Sequence, residues 1–116
     1  MNYLTRKLVA DRLRFSRSQS YRLISCKSSL GLIKSDALLE RLNRLRVNCP
    51  VLTCLPSDIL TLDQLAERIA PLGIPRSRLA RLARRKRNPL PHLRFNGHTL
   101  RFPFAAVNGW LEALAA

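Results

Sequence analysis

Residues 61–87 read TLDQLAERIAPLGIPRSRLARLARRKR, a pattern that predicts two short helices joined by a tight turn. Thr61 and Gln64 have the spacing of a capping box, in which each side chain pairs with a backbone amide at the helix start. Apolar residues then recur at the spacing of one helix face: Leu62, Leu65, Ala66 and Ile69. Pro71 and Gly73 end this first helix.

The second helix, which Pro75 opens at its first position, has an apolar side and a cationic side. Leu79, Leu82 and Ala83 form the apolar side, which would face a core. The other side and its edges carry polar and cationic residues: Ser77, Arg78, Arg81, Arg84 and Arg85. Because the second helix of a helix-turn-helix enters the major groove, we expect these residues to contact duplex DNA there.

A β-hairpin, or wing, is predicted over residues 92–102. Asn96-Gly97 at its centre is typical of a two-residue type I′ turn. That register places four apolar residues on one packed face: Leu93, Phe95, Leu100 and Phe102. It leaves Arg94 and Arg101 exposed. We expect the wing to contact the DNA backbone or minor groove through Arg94, Asn96, His98 and Arg101, with Arg87 as a further contact just before it.

Pro103 then opens a closing helix that should cover the core. Its apolar stripe consists of Phe104, Val107, Trp110, Leu111 and Leu114.

The charge of the chain is strongly one-sided. The 116 residues carry a net charge of +14 with a pI of about 11.5, and 17 of the 21 basic residues are Arg. Residues 76–101 contain nine Arg or Lys and no Asp or Glu. Guanidinium groups bind phosphates and guanine edges in bidentate geometry, so a nucleic acid is the expected partner. Hydrophobic residues make up 47% of the chain, which is enough for an ordered core.

Several other classes of protein are disfavoured. Three cysteines (Cys26, Cys49 and Cys54) and no recognisable signal peptide are typical of a reducing cytoplasm. No apolar stretch approaches the roughly 18 residues that span a membrane. No catalytic constellation, phosphate loop or metal-ligand spacing is present, so we expect no enzyme activity, no metal and no cofactor. His92 and His98 should touch phosphate or solvent rather than share a metal.

The chain also contains a weak internal repeat. Three matches occur in the same order, with offsets of 56, 59 and 72: residues 4–13 with 60–69, residues 17–23 with 76–82, and residues 39–42 with 111–114. Each copy reads as helix, turn, helix, connection and closing helix. We therefore predict a mainly α fold with a small β-hairpin wing, arranged as two tandem (winged) helix-turn-helix units.

The predicted units are residues 1–46 (the first unit) and residues 61–116 (the second unit), joined by residues 47–60. The joining segment contains Val51, Leu52 and Leu55, which are apolar enough to pack across the two units.

The first unit departs from the second in its surface and in its wing. Thr5 should cap its first helix, Ser16 and Gln19 form a second capping box, and Ser35 should cap its closing helix. The connection between the second and closing helices is too short for a full wing. The outer face of its second helix carries Arg17, Ser18, Gln19, Tyr21 and Arg22. These residues either contact DNA or serve a structural or dimerising role.

At residues 60–114 the sequence resembles the excisionase and MerR-like winged-helix family. The resemblance rests on Leu60-Thr61, Ala66, Pro91, Arg94, Gly97, Arg101-Phe102 and Trp110-Leu111. It implies a cytoplasmic, nucleoid-associated protein that binds double-stranded DNA in site-specific recombination or promoter control, in the setting of a bacterial mobile element. It also implies self-association on DNA and an integrase or RNA polymerase as candidate partners. Ligand-sensing members carry a long helix and effector domain after the wing, so we expect no sensing of that kind.

Two other functions fit the same sequence. A protein-binding regulator could use the helix-turn-helix scaffold with DNA secondary, and a structured RNA could replace duplex DNA as the ligand. The dependence of binding on salt and on duplex type separates these readings.

Overall fold

The computed structural model describes residues 3–23 and 32–115, apart from the side chain of Tyr21. Within these residues the chain combines six α-helices with two small antiparallel sheets. The first unit contains β1 (Tyr3–Thr5), α1 (Arg6–Leu13), α2 (Arg17–Leu23), β2 (Leu32–Lys34) and α3 (Ser35–Arg44). Two short strands follow, β3 (Arg46–Val47) and β4 (Ile59–Leu60). The second unit contains α4 (Leu62–Arg68), a 3₁₀ turn (Ala70–Leu72), α5 (Arg76–Arg84), β5 (His92–Arg94), β6 (Leu100–Pro103) and α6 (Phe104–Ala115).

Three of the four predicted caps form. Thr61 and Gln64 make both hydrogen bonds of a capping box at α4, and Ser16 and Gln19 do the same before α2. The Thr5 hydroxyl accepts a hydrogen bond from the amide of Leu8 at the start of α1. Each such cap stabilises its helix by about 1 kcal/mol. The prediction of a mainly α chain with a β-hairpin is confirmed at that level.

A four-stranded antiparallel sheet in the order β3-β5-β6-β4 lies at the centre of the molecule. The joining segment supplies residues to both edge strands, since β3 pairs with β5 and β4 pairs with β6. Leu52 and Leu55 pack against the first core, whereas Val51 is 64% exposed. The smaller sheet pairs β1 with β2 inside the first unit.

Each face of the central sheet is covered by a different hydrophobic core. Ile59 and Leu93 belong to the first core, whose other buried members are Val9, Ala10, Leu13, Phe15, Ile33, Leu38 and Leu42. Leu60 and Phe102 belong to the second, whose other buried members are Leu65, Ile69, Leu79, Ala83, Leu90, Val107 and Trp110. Because strand residues alternate between faces, one small sheet closes both units.

The register of the hairpin differs by one residue from the predicted register. Leu93 pairs with Arg101 and Arg94 with Leu100, and the expected type I′ turn is wrong because neither Asn96 nor Gly97 has a positive φ. Instead the Asn96 carboxamide oxygen accepts hydrogen bonds from the amides of His98 and Thr99, both at 2.8 Å. A one-residue shift exchanges the faces of every residue on one strand relative to the other. Leu93 and Phe102 therefore face different cores rather than the same one.

Smaller expectations at helix ends were also wrong. Ser35 does not cap α3, because Lys34 occupies the cap position without a side-chain hydrogen bond. Pro103 ends β6 and the closing helix begins one residue later. Leu114 at the end of α6 is 53% exposed, so it adds nothing to the core.

Both halves of the chain begin with a strand and two helices, and both end with a strand that leads directly into a closing helix; the second half adds β5 before that last strand. Thr5 and Thr61 cap equivalent helices at an offset of 56. The boundary between β2 and α3 matches that between β6 and α6 at an offset of 69, rather than 72. At 69, the buried Leu38 of α3 coincides with the buried Val107 of α6.

Candidate nucleic-acid interface

The second unit presents α5 as an exposed cationic helix. Its inner side is anchored by Leu79 and Ala83, which are buried in the second core. Four of the predicted DNA-contacting residues lie exposed on its outer side: Ser77, Arg78, Arg81 and Arg84. The helical spacing separates the apolar and cationic sides as the sequence predicted.

Acidic side chains leave most of this face uncompensated. Among the described residues, ion pairs join Arg44 to Glu40, Arg68 to Asp58, and Arg76 to Asp63. Arg76 at the start of α5 is therefore paired, while Arg78, Arg81 and Arg84 have no carboxylate partner in the described part of the chain. A cationic surface of this kind attracts a polyanion over a Debye length of about 8 Å at physiological salt.

The tip of the wing lies next to α5. A guanidinium nitrogen of Arg84 lies 3.5 Å from the carbonyl oxygen of Gly97. A cleft of about 320 Å³ between α4, α5 and the hairpin is lined by Arg76, Arg84 and His98 among others. Arg94, Asn96 and His98 are all exposed. The helix and the wing tip thus form one continuous polar surface, although the carboxamide oxygen of Asn96 is already engaged in the turn.

Arg101 is largely buried below this surface, and the expectation that it lies exposed was wrong. Its side chain is 7% exposed. The guanidinium donates hydrogen bonds to the carbonyl oxygens of Leu13, at 2.7 Å, and Arg14, at 2.9 Å. It also lies 4.8 Å from the centre of the Phe15 ring. Burial lowers the pKa of Arg101 from its ordinary value.

The physical role of Arg101 follows from these contacts. The two carbonyls lie at the C-terminal end of α1, where unpaired acceptors and the helix dipole favour a cation. Arg101 therefore joins the wing sheet of the second unit to the end of α1 in the first unit. Arg14 adds a second link, because its guanidinium donates to the carbonyl oxygen of Ile59 at 3.2 Å.

Arg85 and Arg87 lie beyond the end of α5, which is Arg84. The Arg85 guanidinium donates to the carbonyl oxygen of Asn88 at 2.9 Å and lies 5.4 Å from the centre of the Trp110 ring. Arg85 is exposed but directed at α6, so it braces the connection rather than extending the face of α5. Arg87 is exposed in that connection.

His92 is fully buried, so the expectation that it touches phosphate or solvent was wrong. Its Nδ1 lies 2.7 Å from the carbonyl oxygen of Leu90, and its Nε2 is buried with no partner among the described residues. Burial lowers the pKa of His92, and the nearby Arg94 charge acts in the same direction, while the hydrogen bond to Leu90 opposes them. The ring therefore favours the neutral form, packed beside Phe102.

In the first unit, α2 presents a weaker version of the α5 face. Arg17, Ser18 and Arg22 are exposed. Gln19 is half-buried and its side-chain oxygen accepts from the Ser16 amide, so it is occupied in the capping box. The expectation for the Tyr21 side chain lies outside the described residues.

Asn48 stabilises the connection that follows α5, and the sequence did not predict this role. Its side-chain amide donates to the Asn88 side chain at 2.9 Å and to the carbonyl oxygen of Pro89 at 2.7 Å. The Asn88 side-chain oxygen also accepts from the Trp110 indole at 2.9 Å. These bonds fix the connection that follows α5. The signal was weak: both asparagines adopt positive φ, a conformation that Asn tolerates better than most residues.

Comparisons with protein-family models, with curated proteins and with solved structures found no match to this chain. Among the described residues, no group of three or more His, Cys, Asp or Glu side chains is placed to hold a metal ion. None of the helices in the described ranges is long and apolar enough to cross a membrane.

Proposed function

We propose that this protein binds double-stranded DNA, with α5 in the major groove and the wing tip on the neighbouring backbone. The observation that carries the proposal is the outer side of α5, where Arg78, Arg81 and Arg84 are exposed without a carboxylate partner among the described residues. An α-helix with its side chains is about 10–12 Å in diameter, which suits a major groove about 12 Å wide. Arg94 and His98 would then contact phosphates beside the groove.

The finer architecture that we propose is two tandem helix-turn-helix units, with a full wing in the second. The strand and two helices that begin both halves of the chain support it, as do the equivalent caps at Thr5 and Thr61. Because both units share the central sheet, α2 and α5 would meet DNA in a fixed relative orientation. Two units in one chain would then resemble a dimer on successive grooves.

The biological role that we propose is a small regulator of transcription or of site-specific recombination, such as an excision factor of a bacterial mobile element. This part rests on the resemblance of residues 60–114 to the excisionase and MerR-like family. An integrase or RNA polymerase would be its protein partner, and copies would associate along DNA.

Salt dependence of binding tests the proposal. With about six phosphates neutralised, the logarithm of the affinity for duplex DNA should fall with the logarithm of salt concentration with a slope of about −5. Fluorescence anisotropy with matched DNA and RNA duplexes at several salt concentrations measures this slope. A slope near zero would favour a protein-binding regulator, and tighter binding to RNA at equal salt would favour an RNA-binding protein.

A pair of variants locates the surface. Arg81→Ala should weaken binding, whereas Arg44→Ala removes the same charge from α3, outside the proposed interface, and should leave affinity nearly unchanged. Equal losses for the two variants would show that only net charge matters and would reject the placement of α5 in the groove.

A further inference from the structure

The first unit contains a cavity that shares one lining residue, Arg17, with the proposed DNA-contacting face of α2. Its volume is about 480 Å³, within the range of small-molecule sites, and it lies between α1 and α2. Ala10 and Phe15 provide apolar walls, and Ser20 of α2 also lines it. Comparison with the second unit shows why it is open.

Ser20 occupies the position that Leu79 holds in the second unit, at the repeat offset of 59. Leu79 is fully buried and belongs to the second core. Ser20 is equally hidden, at 1% exposure, but its side chain is smaller and its hydroxyl has no hydrogen-bond partner among the described residues. A buried hydroxyl without a partner is unfavourable, and a serine at this position leaves more space than a leucine would.

The charged residues between the first two helices also differ between the two units. In the second unit, Asp63 of α4 and Arg76 of α5 form an ion pair across the two helices. The equivalent residues in the first unit are Lys7 and Arg17, both of which line the cavity. Two cations cannot form that ion pair, and neither has a carboxylate partner in the described ranges.

The cavity is therefore electropositive. Arg6, Lys7 and Arg17 contribute three positive charges and Asp11 contributes one negative charge, so the lining has a net charge of +2. Arg6 also spans the two helices, since its guanidinium donates to the carbonyl oxygen of Ser20 at 3.2 Å.

We propose that this cavity binds a small organic anion with an aromatic or branched apolar body. Its carboxylate would lie between Lys7 and Arg17, where the second unit holds an ion pair. Its apolar body would rest against Ala10 and Phe15, in the space beside Ser20. Binding of an anion in this cavity does not require binding of DNA, so either proposal can be rejected while the other stands.

Titration of the full chain with 2-naphthoate, followed by ¹H–¹⁵N NMR and calorimetry, tests the proposal. We expect shifts in the amide signals of α1 and α2. The affinity should exceed that of 2-naphthylmethylammonium, a cation of similar shape, by at least about tenfold. Equal binding of the two probes, the same shifts with inorganic sulfate, or no shifts at millimolar probe would each overturn it.

Two variants give the first unit the residue types that the second unit has at the equivalent positions. Ser20→Leu should fill the cavity and lower the affinity for 2-naphthoate by at least about tenfold. Lys7→Asp should pair with Arg17 and have a similar effect, which keeps the test decisive if the Leu variant does not fold. Arg12→Asp makes the same charge change on α1 outside the cavity and should retain most of the affinity. Wild-type binding by Lys7→Asp, or an equal loss in Arg12→Asp, would reject the site.

Discussion

Each unit has three α-helices in the same order, but the residues between the first two helices differ. In the second unit Leu79 fills the space and Asp63 pairs with Arg76. In the first unit the equivalent positions hold a buried serine and two cations around a cavity. The comparison teaches that a pair of neighbouring helices is packed full or left hollow according to the few residues that lie between the helices.

The largest effect should come from giving the second unit the serine of the first. Leu79→Ser would remove a fully buried side chain and leave a hydroxyl without an evident partner, at a cost of about 4 kcal/mol in the free energy of unfolding. Urea denaturation followed by circular dichroism measures it. The exposed Ser77→Ala should change stability by less than about 0.5 kcal/mol. A small loss for Leu79→Ser would show that the two helix pairs are equally loosely packed.

The contact between the units comes next in size. Arg101→Met keeps the apolar stem but leaves the carbonyls of Leu13 and Arg14 without their donor. The free energy of unfolding should therefore fall by about 3 kcal/mol. The same denaturation experiment serves as the measurement. Arg94→Met on the same hairpin is an exposed control expected to cost less than about 0.5 kcal/mol. Similar values for both variants would contradict the role of Arg101 as a link between units.

Equivalent arginines on the two outer helices compare the units as DNA-binding surfaces. Arg81→Ala on α5 should cost about 2 kcal/mol on a specific site, while Arg94→Ala should weaken all sequences alike. Arg22 is the α2 equivalent of Arg81, and Arg22→Ala should cost less than about 1 kcal/mol, the usual effect of a single phosphate contact or less. Anisotropy titrations on specific and random duplexes measure the three losses. A larger loss for Arg22→Ala would make α2 the main recognition helix.

The last effect is a dependence of folding stability on pH, which arises from His92 in the wing. Because burial lowers the pKa of His92 in the folded chain, the unfolded chain binds more protons below the ordinary value near 6.5. Stability should be constant above that pH and fall as pH drops below it, by at most about 1.4 kcal/mol per pH unit. Denaturation between pH 5 and 8, compared for wild type and His92→Phe, measures this. An equally steep fall in the variant would assign it to other groups.

Much of the local structure was predictable because its causes lie within a few residues. The capping boxes at Thr61 and at Ser16 each depend on a polar pair three positions apart, and both form. The apolar and cationic sides of α5 follow from helical periodicity alone. The hairpin turn was not predictable in this way, because Asn96 pairs with the amides of His98 and Thr99 in place of the expected turn.

In the candidate interface too, the residues whose positions depend on local spacing were predictable and those with distant partners were not. Ser77, Arg78, Arg81 and Arg84 lie where periodicity placed them. Arg101 does not, because its position depends on a partner 88 residues away in the sequence. No pattern within the wing reveals that its second face is covered by another core.

The sequence by itself determined the helices, three of their four predicted caps and the cationic side of α5, because hydrogen bonds and apolar periodicity act over one or two turns. Only the tertiary structure decided that one small sheet serves two cores, that Arg101 turns inward to α1, and that a cavity opens beside Ser20. The physical reason is that strand register and burial are set by what covers each face, and here one of those covers comes from the other end of the chain.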